Sequence, residues 1–159
     1  MTGAQDPVAI LLVEDNVDHE ELIRRTLVER QAPVELKVAR HGEEALDYLF
    51  RRGRWQDPAA SPRPRLVLLD LRLPRVDGFQ VLGTIKSTPS LRDLPVVILT
   101  TSQSEHDVAR AYARHANSYL VKPADHQRFS ELVGAVESYW LELNRQPEEE
   151  ADADARSRP

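Results

Sequence analysis

Several polar residues in this sequence close short apolar runs. Glu14 and Asp15 follow VAILLV (Val8 to Val13), Asp70 follows LVLL (Leu66 to Leu69), Thr100 follows VVIL (Val96 to Leu99), and Lys122 follows the shorter YLV (Tyr119 to Val121). Singly, such residues have ordinary roles: an acid after a strand caps the next helix, and a lone lysine is solvated. Three acids, a hydroxyl and an ammonium at matching run ends are another matter. Clustered carboxylates oppose one another's ionisation, and a bound cation relieves that cost. Oxygen donors without His or Cys suit Mg²⁺, which keeps several waters and shares the oxygens of a phosphate. Phosphoryl transfer requires an in-line nucleophile, a metal and donors for the equatorial oxygens. In this set Asp70 is the candidate nucleophile, Glu14 and Asp15 the candidate metal holders, and Thr100 and Lys122 the donors to the incoming group. The product would be an acyl phosphate on Asp70.

The elements that must position these residues alternate along the chain. The branched apolar runs are too short for helices and read as strands buried on both faces. Between them, Leu22, Ile23 and Leu27, then Ala45, Leu46, Leu49 and Phe50, then Val81, Leu82 and Ile85, then Val108, Ala111 and Tyr112 repeat at helical spacing. A more polar strand at Val34 to Val38, a short one at Tyr119 to Val121 and a last helix over Asp125 to Leu143 complete a βα order repeated five times. That order predicts an α/β fold with a parallel sheet covered on both faces. In such a sheet, ligands gather beyond the carboxyl ends of the strands where the strand order reverses. Asp18 with Glu21 resembles a capping box opening the first helix. The stretch from Gly53 to Arg65, with Pro58, Pro62 and Pro64, is expected to be an exposed loop.

Composition narrows the function classes. With 159 residues, 41% hydrophobic and 30% charged, the chain is sized for one domain with its own core. Residues 1–7 are expected to be a flexible N-terminus, 8–144 the domain, and 145–159 a disordered acidic tail. In that tail Glu148, Glu149, Glu150, Asp152 and Asp154 outnumber Arg145, Arg156 and Arg158, without a large apolar residue. The absence of cysteine excludes disulfides and thiolate chemistry. A net charge of −5 disfavours nucleic acid as a partner. No run approaches a membrane span and Met1 to Pro7 lacks the order of a signal peptide, so a cytoplasmic location without membrane association is expected.

The segments LLVEDN (Leu11 to Asn16), LLDLRLPRVDG (Leu68 to Gly78), PVVILTTS (Pro95 to Ser102) and YLVKP (Tyr119 to Pro123) together resemble the response-regulator receiver domain of bacterial two-component systems. The resemblance runs from about Val8 to Leu143. It implies a flavodoxin-like, doubly wound (βα)₅ sheet with strand order 2-1-3-4-5. It implies that Asp70 is the phosphoacceptor served by a sensor histidine kinase, and that Mg²⁺ is ligated by Asp15, Asp70 and the backbone carbonyl of Arg72, with Glu14 acting through metal-bound water. Thr100 and Lys122 would contact the phosphoryl oxygens, Thr100 and Tyr119 would form a switch pair, and the Lys122–Pro123 peptide would be cis. A narrower resemblance is to single-domain receivers of phytochrome-type histidine kinases, carried by YLFRRGRW from Tyr48, TIKSTPSLRDLPVVILTTS from Thr84, and the last helix extended to Trp140. His115 stands where many receivers have glycine, so a different turn is expected there.

Two rival readings fit these residues less well. Haloacid-dehalogenase-type phosphohydrolases also use an aspartyl phosphate, but place an acid two residues after the nucleophile, where this chain has Arg72. A receiver-fold binding module that no longer accepts phosphate is disfavoured by the intact acceptor set. Activity is therefore expected only toward the chain's own aspartate, not as an enzyme on external substrates. His19, His41, His106, His115 and His126 fall at no metal-binding spacing and receive no role. On the last helix Phe129, Leu132, Val133 and Val136 read as core. Trp140 and Leu143 extend beyond it and are the candidate homodimer contact, any output passing through protein surfaces.

Overall fold

The structure, a computed structural model, describes residues 6–147. Most of the expected flexible N-terminus and acidic tail thus lies outside the described residues. Five strands, β1 (Val8–Val13), β2 (Val34–Ala39), β3 (Leu66–Leu69), β4 (Val96–Thr100) and β5 (Ser118–Val121), alternate with α1 (Val17–Glu29), α2 (Gly42–Phe50), α3 (Gly78–Ser87), α4 (Glu105–Ala113) and α5 (His126–Glu137). All pairings are parallel and the order is β2-β1-β3-β4-β5. The chain runs outward from β1 to β2, then crosses to β3 on the other side, so the strand order reverses between β1 and β3. Beyond their carboxyl ends a crevice opens.

Side-chain alternation along the strands divides the core. Leu11, Val13, Val67, Leu69, Val96 and Ile98 pack on one face against Leu49 of α2, Leu82 and Ile85 of α3 and Ala111 of α4. Ile10, Leu12, Leu66, Leu68, Val97 and Leu99 pack on the other against Ile23 and Leu27 of α1 and Phe129 and Val133 of α5. The uninterrupted apolar runs are thus strands buried on both sides, whereas the polar β2 lies at an edge. No helix among the described residues is long and apolar enough to cross a membrane.

Local chemistry differs from expectation in four places. Helix α1 is capped not by Asp18 but by Asn16, whose Oδ1 accepts from the His19 N–H at 3.1 Å. The β1 strand stops at Val13, and the two acids after it leave room for only one residue before the helix. The Gly53 to Arg65 stretch opens with a 3-10 turn at Gly53–Trp55 and continues as a loop, but an anchored one. The Tyr48 hydroxyl donates to the Pro62 carbonyl at 2.7 Å, buried Ser61 donates to the Trp55 carbonyl at 2.9 Å, and the Tyr48 and Trp55 rings meet edge-on. The helix expected over Asp125 to Leu143 changes winding: α5 ends at Glu137 and a π-helical turn spans Ser138–Leu143. His115 keeps the left-handed turn for which glycine is usual, at φ 69°. Its N–H donates to Tyr112 and that of Ala116 to Ala111, closing a Schellman motif in which a histidine is tolerated.

Candidate functional site

The loop after β1 and the residue that closes β3 carry the acids to the crevice. The Glu14 N–H is held by the Ala39 carbonyl at 2.9 Å and that of Asp70 by the Val13 carbonyl at 3.1 Å, so both extend the sheet ladder by one step. Glu14 and Asp70 are buried while Asp15 faces solvent. One carboxylate oxygen from each of the three lies within 4.8 Å of the others. From beyond β5, Lys122 reaches the same point. Its backbone N–H donates to the Thr100 carbonyl at 2.7 Å, and its Nζ donates to Glu14 Oε1 at 2.6 Å and Asp70 Oδ2 at 2.9 Å. Asp70 Oδ1 accepts from the Arg72 N–H at 3.2 Å.

Charge in this pocket is unbalanced. Burial pushes the Glu14 carboxyl up to about 7, opposed by the Lys122 ammonium and its hydrogen bond, and reinforced by the Asp70 charge. One ammonium thus faces two buried acids with a third beside them. A hard divalent cation fits this donor set: it consists of oxygen alone, is net negative, and has one acid open to water.

Thr100 is fully buried at the end of β4, its Oγ1 accepting from the Ser102 N–H at 3.4 Å. The Tyr119 hydroxyl donates to the Ser102 carbonyl at 3.0 Å, so the expected switch pair meets through one residue of the β4–α4 loop. Ser102 Oγ donates to Asp107 at 2.6 Å, and Arg72 pairs with the same Asp107 carboxylate at 3.2 Å. Arg72, which stands where a dehalogenase-type acid would be, is thereby turned toward α4.

One expected feature is corrected. The Lys122–Pro123 bond is trans, since the described chain contains no cis peptide. Trans is the intrinsically preferred isomer even before proline, and Lys122 reaches both acids from it. Two histidines left without a role prove to have one. His41 caps α2, its Nδ1 accepting from the Glu44 N–H at 3.1 Å, and His19 Nδ1 lies 2.8 Å from Lys122 Nζ. His19 had no legible signal, because its partner lies 103 positions away in sequence. Trp140 and Leu143 are separate from the site. Trp140 is half-buried against the α1/α5 side of the core, and Leu143 is 72% exposed.

Comparison with known proteins agrees with this geometry. Residues 10–134 match the response regulator receiver domain. The chain is 46% identical over 144 residues to the probable methanogenesis regulatory protein FilR2 of Methanothrix harundinacea, covering 91% of this chain and 90% of the relative. It is 42% identical over 136 residues to response regulator Rcp1 of Synechocystis, covering 86% and 90%. The crystal structure of Mn²⁺-bound Rcp1 superposes with a TM-score of 0.83 at 41% identity, over 89% of this chain and all of Rcp1's. That of the phosphorylated cyanobacterial phytochrome response regulator RcpA superposes with 0.83 at 39%, over 89% and 99%. The chain therefore belongs to the response regulator receiver family.

Proposed function

We propose that this chain is a phosphorylation switch that takes a phosphoryl group from a sensor histidine kinase onto Asp70. The observation that carries the reading is the convergence of Glu14, Asp15, Asp70 and Lys122 at the strand ends. Asp15, Asp70 and the Arg72 carbonyl would hold Mg²⁺, with Glu14 on its water, and the ion would supply positive charge for the transferring oxygens. Asp70 Oδ attacks phosphorus, the bond from phosphorus to the donor breaks, and the donor leaves with the electron pair. Lys122 and Thr100 donate to the oxygens of the transferred group. Movement of Thr100 toward them shifts Ser102 and with it Tyr119, biasing a two-state surface at α4 and β5. The kinase is of phytochrome type: the likeness to RcpA, named as a phytochrome response regulator, and the YLFRRGRW segment support this. The chain acts in the cytoplasm, on its own aspartate only, and signals as a homodimer without nucleic acid.

Incubation with acetyl phosphate and Mg²⁺, followed by intact-mass measurement, tests the chemistry. The expected result is an alkali-labile phosphoryl adduct that is lost in Asp70→Asn and blocked by chelator, with the circular dichroism spectrum unchanged. Full-rate labelling of Asp70→Asn would refute the assignment. Turnover of an external phosphate ester would favour the phosphohydrolase reading.

A further inference from the structure

An ammonium has three N–H donors and no acceptor. In Lys122 two of them go to Glu14 Oε1 and Asp70 Oδ2, and the third points at His19 Nδ1, 2.8 Å away. The imidazole must therefore accept, which requires Nδ1 without a proton and the hydrogen on Nε2. Its surroundings favour that neutral form. Burial holds the imidazole below its ordinary value, and the Lys122 charge adds to the effect against the weaker pull of Asp70, Asp18 and Asp15.

The position of this acceptor is built. The His19 backbone N–H is fixed by the Asn16 cap at 3.1 Å, and its ring lies against Phe129 of α5 with centroids 5.6 Å apart. Beside it a cleft of about 540 Å³, lined by Asp18, Thr101, Gln103 and His126 among others, gives the ring room to turn away.

We infer that His19 is a positioning residue that occupies the third donor of Lys122 and so slows phosphorylation of Asp70. The inference rests on the reading of Asp70 as phosphoacceptor. The bond to Asp70 joins opposite charges and the bond to Glu14 is the shortest of the three at 2.6 Å, whereas the imidazole acceptor is neutral and its ring stands beside an open cleft, so this bond is the most readily given up. It is the one Lys122 gives up when a phosphoryl oxygen arrives. A bond present before transfer and absent during it stabilises the ground state only, and so raises the barrier.

The test compares the wild type with His19→Phe, which keeps a ring against Phe129 but removes the acceptor, and His19→Asn, whose Oδ1 restores one. Each full-length protein is incubated with acetyl phosphate and Mg²⁺, acetate being the leaving group, and labelling is tracked by intact mass. His19→Phe should label about three- to tenfold faster, the gain being modest because water replaces the imidazole. His19→Asn should return to within about twofold of the wild type. Nitrogen-15 NMR should show Nδ1 of His19 unprotonated in the unmodified protein and its hydrogen bond lost on phosphorylation. A His19→Phe rate equal to or below wild type, or a proton on Nδ1, overturns the inference while an adduct on Asp70 leaves the phosphoacceptor reading standing. If the wild type takes up no adduct, that reading fails and the inference with it.

Discussion

Thr100 and Tyr119 are joined through Ser102, whose N–H lies on the Thr100 hydroxyl oxygen and whose carbonyl accepts the Tyr119 hydroxyl. Removing the threonine hydroxyl should therefore break two functions at once. Thr100→Ala should label about ten- to hundredfold more slowly, having lost a donor to a charged oxygen. Once fully labelled, it should show little of the wild-type change in the Tyr119 ring environment by NMR. The same Tyr119 shift in both proteins would mean that the signal bypasses this loop. At this scale the sequence was informative for residues closing apolar runs, because a strand end fixes both the height and the side of the next side chain. Glu14, Asp15, Asp70, Thr100 and Lys122 all belong to that class. His19 does not: it sits in the first turn of α1, and its meeting with Lys122 depends on how α1 packs beside α5. The Ser102–Asp107–Arg72 linkage was equally hidden, since its members come from two loops and a helix brought together only by the sheet.

Helix α3 shows how an element is tied to the proposed acceptor. Asp77 caps it in a full capping box, its Oδ1 accepting from the Gln80 N–H at 2.9 Å while Gln80 Oε1 accepts from the Asp77 N–H at 3.0 Å. Gly78 then begins the helix so close to the end of β3 that a Cβ there would lie 2.4 Å from the Asp70 carbonyl oxygen and 2.6 Å from Leu71 Cα. Backbone on both sides leaves nothing flexible to give way. Gly78→Ala should therefore lower unfolding free energy by about 1–3 kcal/mol and reduce Asp70 labelling, by pushing the acceptor loop off its position. Chemical denaturation and mass spectrometry read the two effects, and an alanine variant with wild-type stability would show that the approach is looser. Strands and helices were legible here because fully buried runs contrast sharply with 3.6-residue spacing. Caps were less so. Both Asn16 and Asp18 are good capping residues, and only the exit of β1 decides between them. The switch to π winding after Glu137 has no period-based signature, because Trp140 and Leu141 still pack on the core across it.

Among the described residues, the proposed acceptor site and a largely apolar side face lie apart from one another. The proposed acceptor site occupies the carboxyl ends of the strands, whereas the β5 edge and α5 form a groove of about 380 Å³ whose apolar lining from Leu120, Leu132, Val136, Tyr139 and Trp140 is bordered by Asn117 and Ser118. Tyr139 is 50% exposed and meets Trp140 edge-on, and Leu143 is 72% exposed beyond it. Apolar surface of this kind is the proposed homodimer contact, in which a two-fold axis sets each patch against its own copy. The two residues singled out from the sequence would contribute differently. Trp140 is half-buried on its own core, so Trp140→Ala should weaken self-association and also lower the melting temperature, the truncation costing about 2 kcal/mol or more in contacts of both kinds. Leu143 has little to lose within its own chain. Leu143→Glu should therefore leave the melting temperature of the monomer unchanged while shifting dimerisation to about tenfold or higher concentration, since it places a charge in an apolar contact. Light scattering across a concentration series, with Asp70 free and phosphorylated, distinguishes the outcomes. A wild type that stays monomeric in both states would remove the dimer. A dimer indifferent to Leu143→Glu would move the contact away from this groove.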